Sequence, residues 1–447
     1  MTVISALLAK AAAAAATLTG KKFALMVASS LVATTGIVAA GLTSGSSDLG
    51  PLAGLLGRNL AASEAPVSTE PEVEPETTAE PAGSPQPASG SGAAVPLGPA
   101  PTPVPSEAKA PSKTAAAPTP EAEPGLIQHV FVVSLASPGY EASFGTTAQM
   151  PYLATLRPQG NLLSNYTLLD GAAASNSIAA VSGQRPNALT TADCPTYSDF
   201  PPSSSSNSAG FVSGEGCIYP VETLSLSDQF ASIQLRWHAY MEGMVDEAGA
   251  PDNCVHPEPG AAETPAPGGY SSRLNPFVYF HSLLDLGDCA TNDVPLTELD
   301  KDLMKVETTP NYSYISPTPC NAGVIGQCPT GAPQGAAAAD AFLATVVPKI
   351  LKSAAYKKDG LLIVTFNQVS PADPSVPATT PSPDPLKVGA LLLSRYTSPG
   401  GTDAAAYDPY SILRSVEDIF QLDHLAGAGG PKVRSFAPAL LGQNGGD

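Results

Sequence analysis

Two short, largely apolar runs most constrain how this chain folds: H-V-F-V-V-S-L at 129–135 and L-L-I-V-T-F at 361–366. Neither shows polar alternation, so neither fits a strand with one wet face. Both read as strands buried on two sides, as in the middle of an α/β sheet. Helix-like spacing recurs along the chain, at Met150–Leu156, Ser175–Val181, Leu224–Ile233, Ala337–Lys352 and Tyr410–Phe420. Further strands are expected within 160–169 and at Leu235–Tyr240 and Val388–Ser394, and a Ser/Pro/Gly-rich loop at 195–216. Strands alternating with helices predict an α/β fold with a mostly parallel sheet covered on both faces. The second run ends in Asn367 and Gln368. Ligands bind just past the carboxyl ends of such strands, and a hydrolase normally places carboxylates there. Two amides at that point need an explanation.

The chain is expected in three parts. Residues 1–42 carry three lysines and no acid, and 23–42 carry no charge. Such a run reads as a membrane anchor, with Lys21 and Lys22 favouring a cytoplasmic N-terminus, or as a signal peptide cleaved after Ala40. Residues 43–125 are rich in Pro, Ala, Glu, Ser and Thr and lack apolar periodicity, the signature of a disordered, extended linker. Residues 126–447 form the folded domain. The whole chain has a net charge of -19, which argues for solubility and against nucleic acid as a partner. The expected location is extracytoplasmic, anchored or secreted. The membrane is met only through the N-terminal segment, and the partner is an unidentified cell-envelope ligand or protein.

All six cysteines, Cys194, Cys217, Cys254, Cys289, Cys320 and Cys328, lie in the third part. An even count in an exported domain predicts disulfides, and sequence order suggests that neighbours pair. Metal-ligand spacings such as C-x-x-C are absent.

Several stretches, in order over most of 126–427, resemble the bacterial phosphoesterases of the acid phosphatase and phospholipase C type, within the alkaline-phosphatase superfamily. They include V-F-V-V-S-L, P-Y-L-A-T-L, A-A-V-S-G-Q, W-H-A-Y-M-E, N-P-F-V-Y-F, V-P-K-I-L-K-S-A-A-Y and Y-D-P-Y-S-I-L-R-S-V-E-D-I-F. The resemblance implies an alkaline-phosphatase-like three-layer sandwich. It also implies phosphate-ester hydrolysis, with divalent metal ions beside a hydroxyl nucleophile.

The positions that should carry that chemistry differ here. The family's Glu-Asn after the first strand is Ala136-Ser137, and the nucleophile position, counted from S-G-Q at 182–184 and from Asn165-Tyr166, is Ala173. The Asp and His that follow a family cysteine are Ala322 and Val324. The acidic pair after the later strand is Asn367-Gln368, and a ligand His is Pro409. The family's Lys/Arg-His-Asn-Pro reads Arg273-Leu274-Asn275-Pro276. Scaffold motifs are retained while chemical ones are replaced, which predicts a catalytically degenerate copy without a metal cofactor. The alternative is an active phosphoesterase with a rearranged site. Ser175 and Ser177 are its candidate nucleophiles, although their plainer role is to cap or face solvent at the start of a helix. Asp170 reads as a turn acid near the site, and the five histidines as structural. If the residue-by-residue match is right, Ala136, Ala173, Ala322, Asn367, Gln368 and Pro409 converge.

Overall fold

The computed structural model describes residues 127–369 and 386–440. The anchor or signal segment and the linker lie outside the described residues. Among the described ones, no helix is long and apolar enough to cross a membrane.

One eight-stranded sheet organises the chain. In chain order its strands are β1 (His129–Leu135), β2 (Asn161–Tyr166), β3 (Trp237–Met241), β4 (Asp293–Pro295), β5 (Tyr312–Ser316), β6 (Gly360–Phe366), β7 (Ala390–Ser394) and β8 (Thr402–Tyr407). Across the sheet the order is β4-β3-β5-β1-β6-β7-β2-β8. β7 runs antiparallel to both neighbours, and every other pairing is parallel. The expectation of a mostly parallel α/β sheet is therefore met. Every residue of β1, β5 and β6 is buried, as strands covered on both faces must be.

The helices that matter for the site are α1 (Pro151–Leu156), α2 (Ala173–Ser182), α3 (Leu226–Ser232), α4 (Ala336–Lys352), α5 (Ala354–Asp359) and α6 (Pro409–Phe420). Each is fixed by local chemistry. α3 starts at a capping box of Ser225 and Asp228. Asp408 caps α6, its carboxylate accepting from Ser411 N at 3.0 Å. Asp340 of α4 caps α1 from a distance, accepting from the backbone N–H groups of Tyr152 and Leu153 at 2.8 and 2.9 Å. α2 ends at Gly183, whose φ of 72° is left-handed. A Cβ there would sit 2.4 Å from Leu425 O, so only glycine fits.

Three strands were not expected. β5, Y-S-Y-I-S, alternates aromatic and hydroxyl residues and so lacks the continuous apolar run of a central strand. It is central because Ser313 and Ser316 are small enough to be fully buried. β8, T-D-A-A-A-Y, is Ala-rich and reads as helix by propensity, but its edge position overrides that preference. β4 is only three residues long.

The three disulfides join Cys194 to Cys217, Cys254 to Cys289 and Cys320 to Cys328, the neighbour pairing expected. The first clamps the irregular 195–216 loop.

Two buried acids give stability an unusual pH slope. Burial pushes Asp293 up to about 7 and Glu417 up to about 8. One carboxylate oxygen of each has no hydrogen-bond partner. The folded state therefore holds protons that the unfolded state releases, so stability rises as pH falls from about 8 toward the ordinary carboxylate range. Urea titrations across that range should show this trend, and Asp293→Asn with Glu417→Gln should flatten it.

Candidate functional site

β1 and β6 pair in register from His129 opposite Gly360 to Leu135 opposite Phe366. The pairing continues past both strands. Asn367 N donates to Leu135 O at 2.7 Å and Gln368 N to Ala136 O at 3.0 Å. On the other side, Ala136 N and Ser137 N both donate to Ala322 O, at 3.1 and 2.9 Å. Gly323 makes this approach possible, because a Cβ there would lie 2.3 Å from Ser137 O. Backbone hydrogen bonds alone thus draw Ala136, Ser137, Ala322, Asn367 and Gln368 to one edge of the sheet.

Their side chains then divide. Ala136, Ala173, Leu274 and Ala322, exposed by 0, 1, 4 and 0 %, form a small apolar cluster separate from the main core, with Val324 packed against it. Three of its five members are bare methyl groups. Asn367 and Pro409 line a different space, a cavity of about 20 Å³ shared with Ser177, Ser134 and Tyr314. Ser137 opens onto a third space of about 420 Å³, with Pro138, Gly323, Gln149 and the start of α4.

Gln368 reaches a residue that the sequence did not single out. Its Nε2 donates to Asp193 Oδ2 at 3.0 Å, and Asp193 Oδ1 accepts from Ala174 N in the first turn of α2 at 2.9 Å. Burial raises the Asp193 pKa, while the Ala174 N–H and the Arg273 charge oppose that rise. This geometry accounts for one of the two amides: residue 368 must donate to a carboxylate, which a second carboxylate cannot do. The sequence offered a faint signal only, an acid directly before a disulfide cysteine. Asp193 takes a left-handed φ of 57°, which Asp tolerates better than most residues.

Ser175 and Ser177 neither cap α2 nor face solvent, because α2 begins two residues earlier than expected, at Ala173. Both serines are buried. Ser175 Oγ donates to Asp170 Oδ1 at 2.5 Å and Ser177 Oγ to Ala173 O at 2.7 Å. Asp170 also accepts from Ala172 N at 2.8 Å, as a turn acid should. The histidines stand elsewhere. His129 pairs with Asp359 at 2.5 Å, His238 with Asp302 at 2.8 Å and His424 with Asp418 at 2.7 Å. His281 lies between Asp199 and Asp285, and His256 stacks on Tyr197.

The donor set does not fit a hard divalent ion, which needs anionic oxygen or imidazole ligands. The five-residue cluster offers only methyl, isopropyl and isobutyl groups. Among the described residues, the one group of metal-capable side chains brought together is Cys254, Cys289 and Asp293. Both of its sulfurs are spent in a disulfide.

The family model described as Phosphoesterase family matches residues 143–423. No curated protein matches the sequence. Similar solved structures include a protein in the alkaline phosphatase superfamily from Vibrio parahaemolyticus, at 11% identity and a TM-score of 0.41, covering 70% of this chain and 72% of that one. A putative sulfatase from Bacteroides thetaiotaomicron is 12% identical over 73% and 76% of the two chains, with a TM-score of 0.43. The lipoteichoic acid synthase LtaP from Listeria monocytogenes is 9% identical over 71% and 76%, with a TM-score of 0.39.

Two substitutions test the electrostatics. Ala136→Glu would bury an uncompensated carboxylate and should cost about 3–5 kcal/mol in urea unfolding. Gln368→Glu places a second carboxylate against Asp193 and should also destabilise. Adding Asp193→Asn should recover part of that loss, giving a non-additive double-mutant cycle.

Proposed function

The chain belongs to the phosphoesterase family, and from that premise we propose that it is a catalytically degenerate member, a binding or structural module outside the cytoplasm. One observation carries this reading. The positions where the resemblance implies a nucleophile, a glutamate, an aspartate and a histidine are held by Ala173, Ala136, Ala322 and Val324; the three alanines are buried together with Leu274, and half-buried Val324 packs against them. In-line displacement at phosphorus needs an activated hydroxyl and charge to neutralise the phosphoryl oxygens. Methyl groups supply neither, and filling the space with them leaves no room for a metal clamp to reassemble.

What remains polar is neutral or already paired. Asn367 and Gln368 are amides, and Gln368 is held by Asp193. The expected ligand is accordingly a neutral, hydrogen-bonding group of the cell envelope, recognised beside this edge of the sheet. Three disulfides support an oxidising compartment. The N-terminal segment serves as anchor or export signal, and the acidic charge leaves nucleic acid unfavoured.

The contact between Ser175 and Asp170 favours a second reading, an active phosphoesterase with a rearranged site, because it pairs a hydroxyl with a carboxylate. Its weakness is burial: Ser175 is 2 % exposed.

The full-length protein should show no turnover of p-nitrophenyl phosphate or bis-p-nitrophenyl phosphate with Mg, Mn, Ca or Zn added. None of these ions should raise its melting temperature. Metal-dependent turnover that survives Ser175→Ala and Ser177→Ala would overturn the degenerate reading. Turnover abolished by Ser175→Ala or Asp170→Asn would instead establish the rearranged site.

A further inference from the structure

We propose that the cavity at the carboxyl end of β6 is a binding site for one internal water molecule, held between Asn367 and Tyr314. The proposal goes beyond the functional reading and holds whether or not the protein turns over a phosphate ester.

Four observations converge on it. The first is orphaned hydrogen-bonding capacity. Asn367 is 4 % exposed and Tyr314 is 2 % exposed, and Asn367 Oδ1, Asn367 Nδ2 and the Tyr314 hydroxyl all lack a protein partner. Buried polar groups are seldom left so, and several in one place point to a bound molecule.

The second is size. The cavity holds about 20 Å³, enough for one water, which needs about 10–15 Å³, and too little for a phosphate or a metal with its hydration shell. The third is complementarity. Water gives two donors and two acceptors, and the walls offer an amide donor, an amide acceptor and a hydroxyl that does both. Burial pushes the Tyr314 pKa up to about 12, so the hydroxyl keeps its proton. Ser134 and Asn367 temper that rise as hydrogen-bonding side chains close to the hydroxyl, yet neither Asn367 nor the hydroxyl reaches hydrogen-bond geometry with a protein group.

The fourth is charge. The cavity is lined by no ionised side chain. The carboxylates adjoining the lining segments in sequence are engaged: Asp408 accepts from Ser411 at the start of α6, and Asp170 from Ser175 and Ala172. A cation would therefore enter without an anionic ligand, and an anion without a counter-charge. A neutral hydrogen-bonding molecule fits. The second amide is thereby accounted for, since Asn367 can donate and accept where a carboxylate only accepts.

A crystal structure of the full chain, at a resolution that shows ordered solvent, decides the matter. The expected result is one solvent peak within hydrogen-bonding distance, about 2.7–3.2 Å, of both Asn367 and Tyr314. The peak should give no anomalous signal after a rubidium soak. A dry cavity, a direct bond between Asn367 and Tyr314, or an anomalous peak would each overturn the proposal. Stability measurements add an independent arm. Asn367→Leu and Tyr314→Phe should each lower the urea midpoint, and the double variant should lower it by less than the two shifts added, because both act through one water. Strict additivity would count against the shared water. Should either variant fail to fold, the wild-type density still decides.

Discussion

The backbone ladder between β1 and β6 is the constraint on which the site depends. It pairs seven residues of each strand without a break and then runs on into Asn367 and Gln368. A one-residue slip would send every side chain of one strand to the opposite face. In the observed register, residue 136 lies beside residues 367 and 368, and Ala322 O closes the other flank. These bonds involve backbone atoms only. The scaffold of the site is therefore indifferent to which side chains it carries, and the chemistry can change while the edge of the sheet keeps its shape.

That indifference has limits, set by charge. Ionised groups gathered at strand ends repel unless metal ions or counter-charges hold them. Here the carboxylates near the edge are few and each has protein donors: Asp193 is held by Ala174 and Gln368, Asp170 by Ala172 and Ser175. The amide at 368 and the acid at 193 are two halves of one device. Either alone would leave a half-buried polar group with less than its share of hydrogen bonds. The pair also ties β6 to the start of α2, the helix that packs most closely against α6, so the sheet edge and this helix pair are fixed together without an ion.

The sheet was legible because its central strands β1 and β6 are apolar on both faces, a pattern that only double burial explains. β5 escaped because burial there is reached with serine and tyrosine rather than with branched aliphatics. The direction of β7 escaped because a five-residue apolar strand looks the same either way. At the site, reading the motifs in order singled out Ala136, Ala173 and Ala322, and the structure packs these three together. What could not be read was how those residues meet. Leu274 joins Ala136 and Ala173 across more than a hundred residues of chain, and Asp193 reaches Gln368 from a loop held by the Cys194–Cys217 disulfide. Such contacts depend on tertiary closure, not on local pattern.

On the degenerate reading proposed above, the apolar cluster is also a one-way change. Replacing a charged clamp with apolar groups of suitable volume can be neutral or stabilising, because the desolvation cost of every ion is removed together with its attraction. The reverse step is not symmetrical. Restoring one carboxylate at 136 or 322 would bury a charge with no partner, and restoring one histidine at 274 would set a polar ring against methyl groups. The intermediate with a single ligand is thus less stable than either the full clamp or the full apolar cluster. Hydrogen bonding reinforces the same barrier, since Gln368 must remain a donor while Asp193 is ionised. On the degenerate reading proposed above, such a site resists piecemeal return to metal chemistry, whereas changes that tune it toward a neutral ligand meet no such barrier.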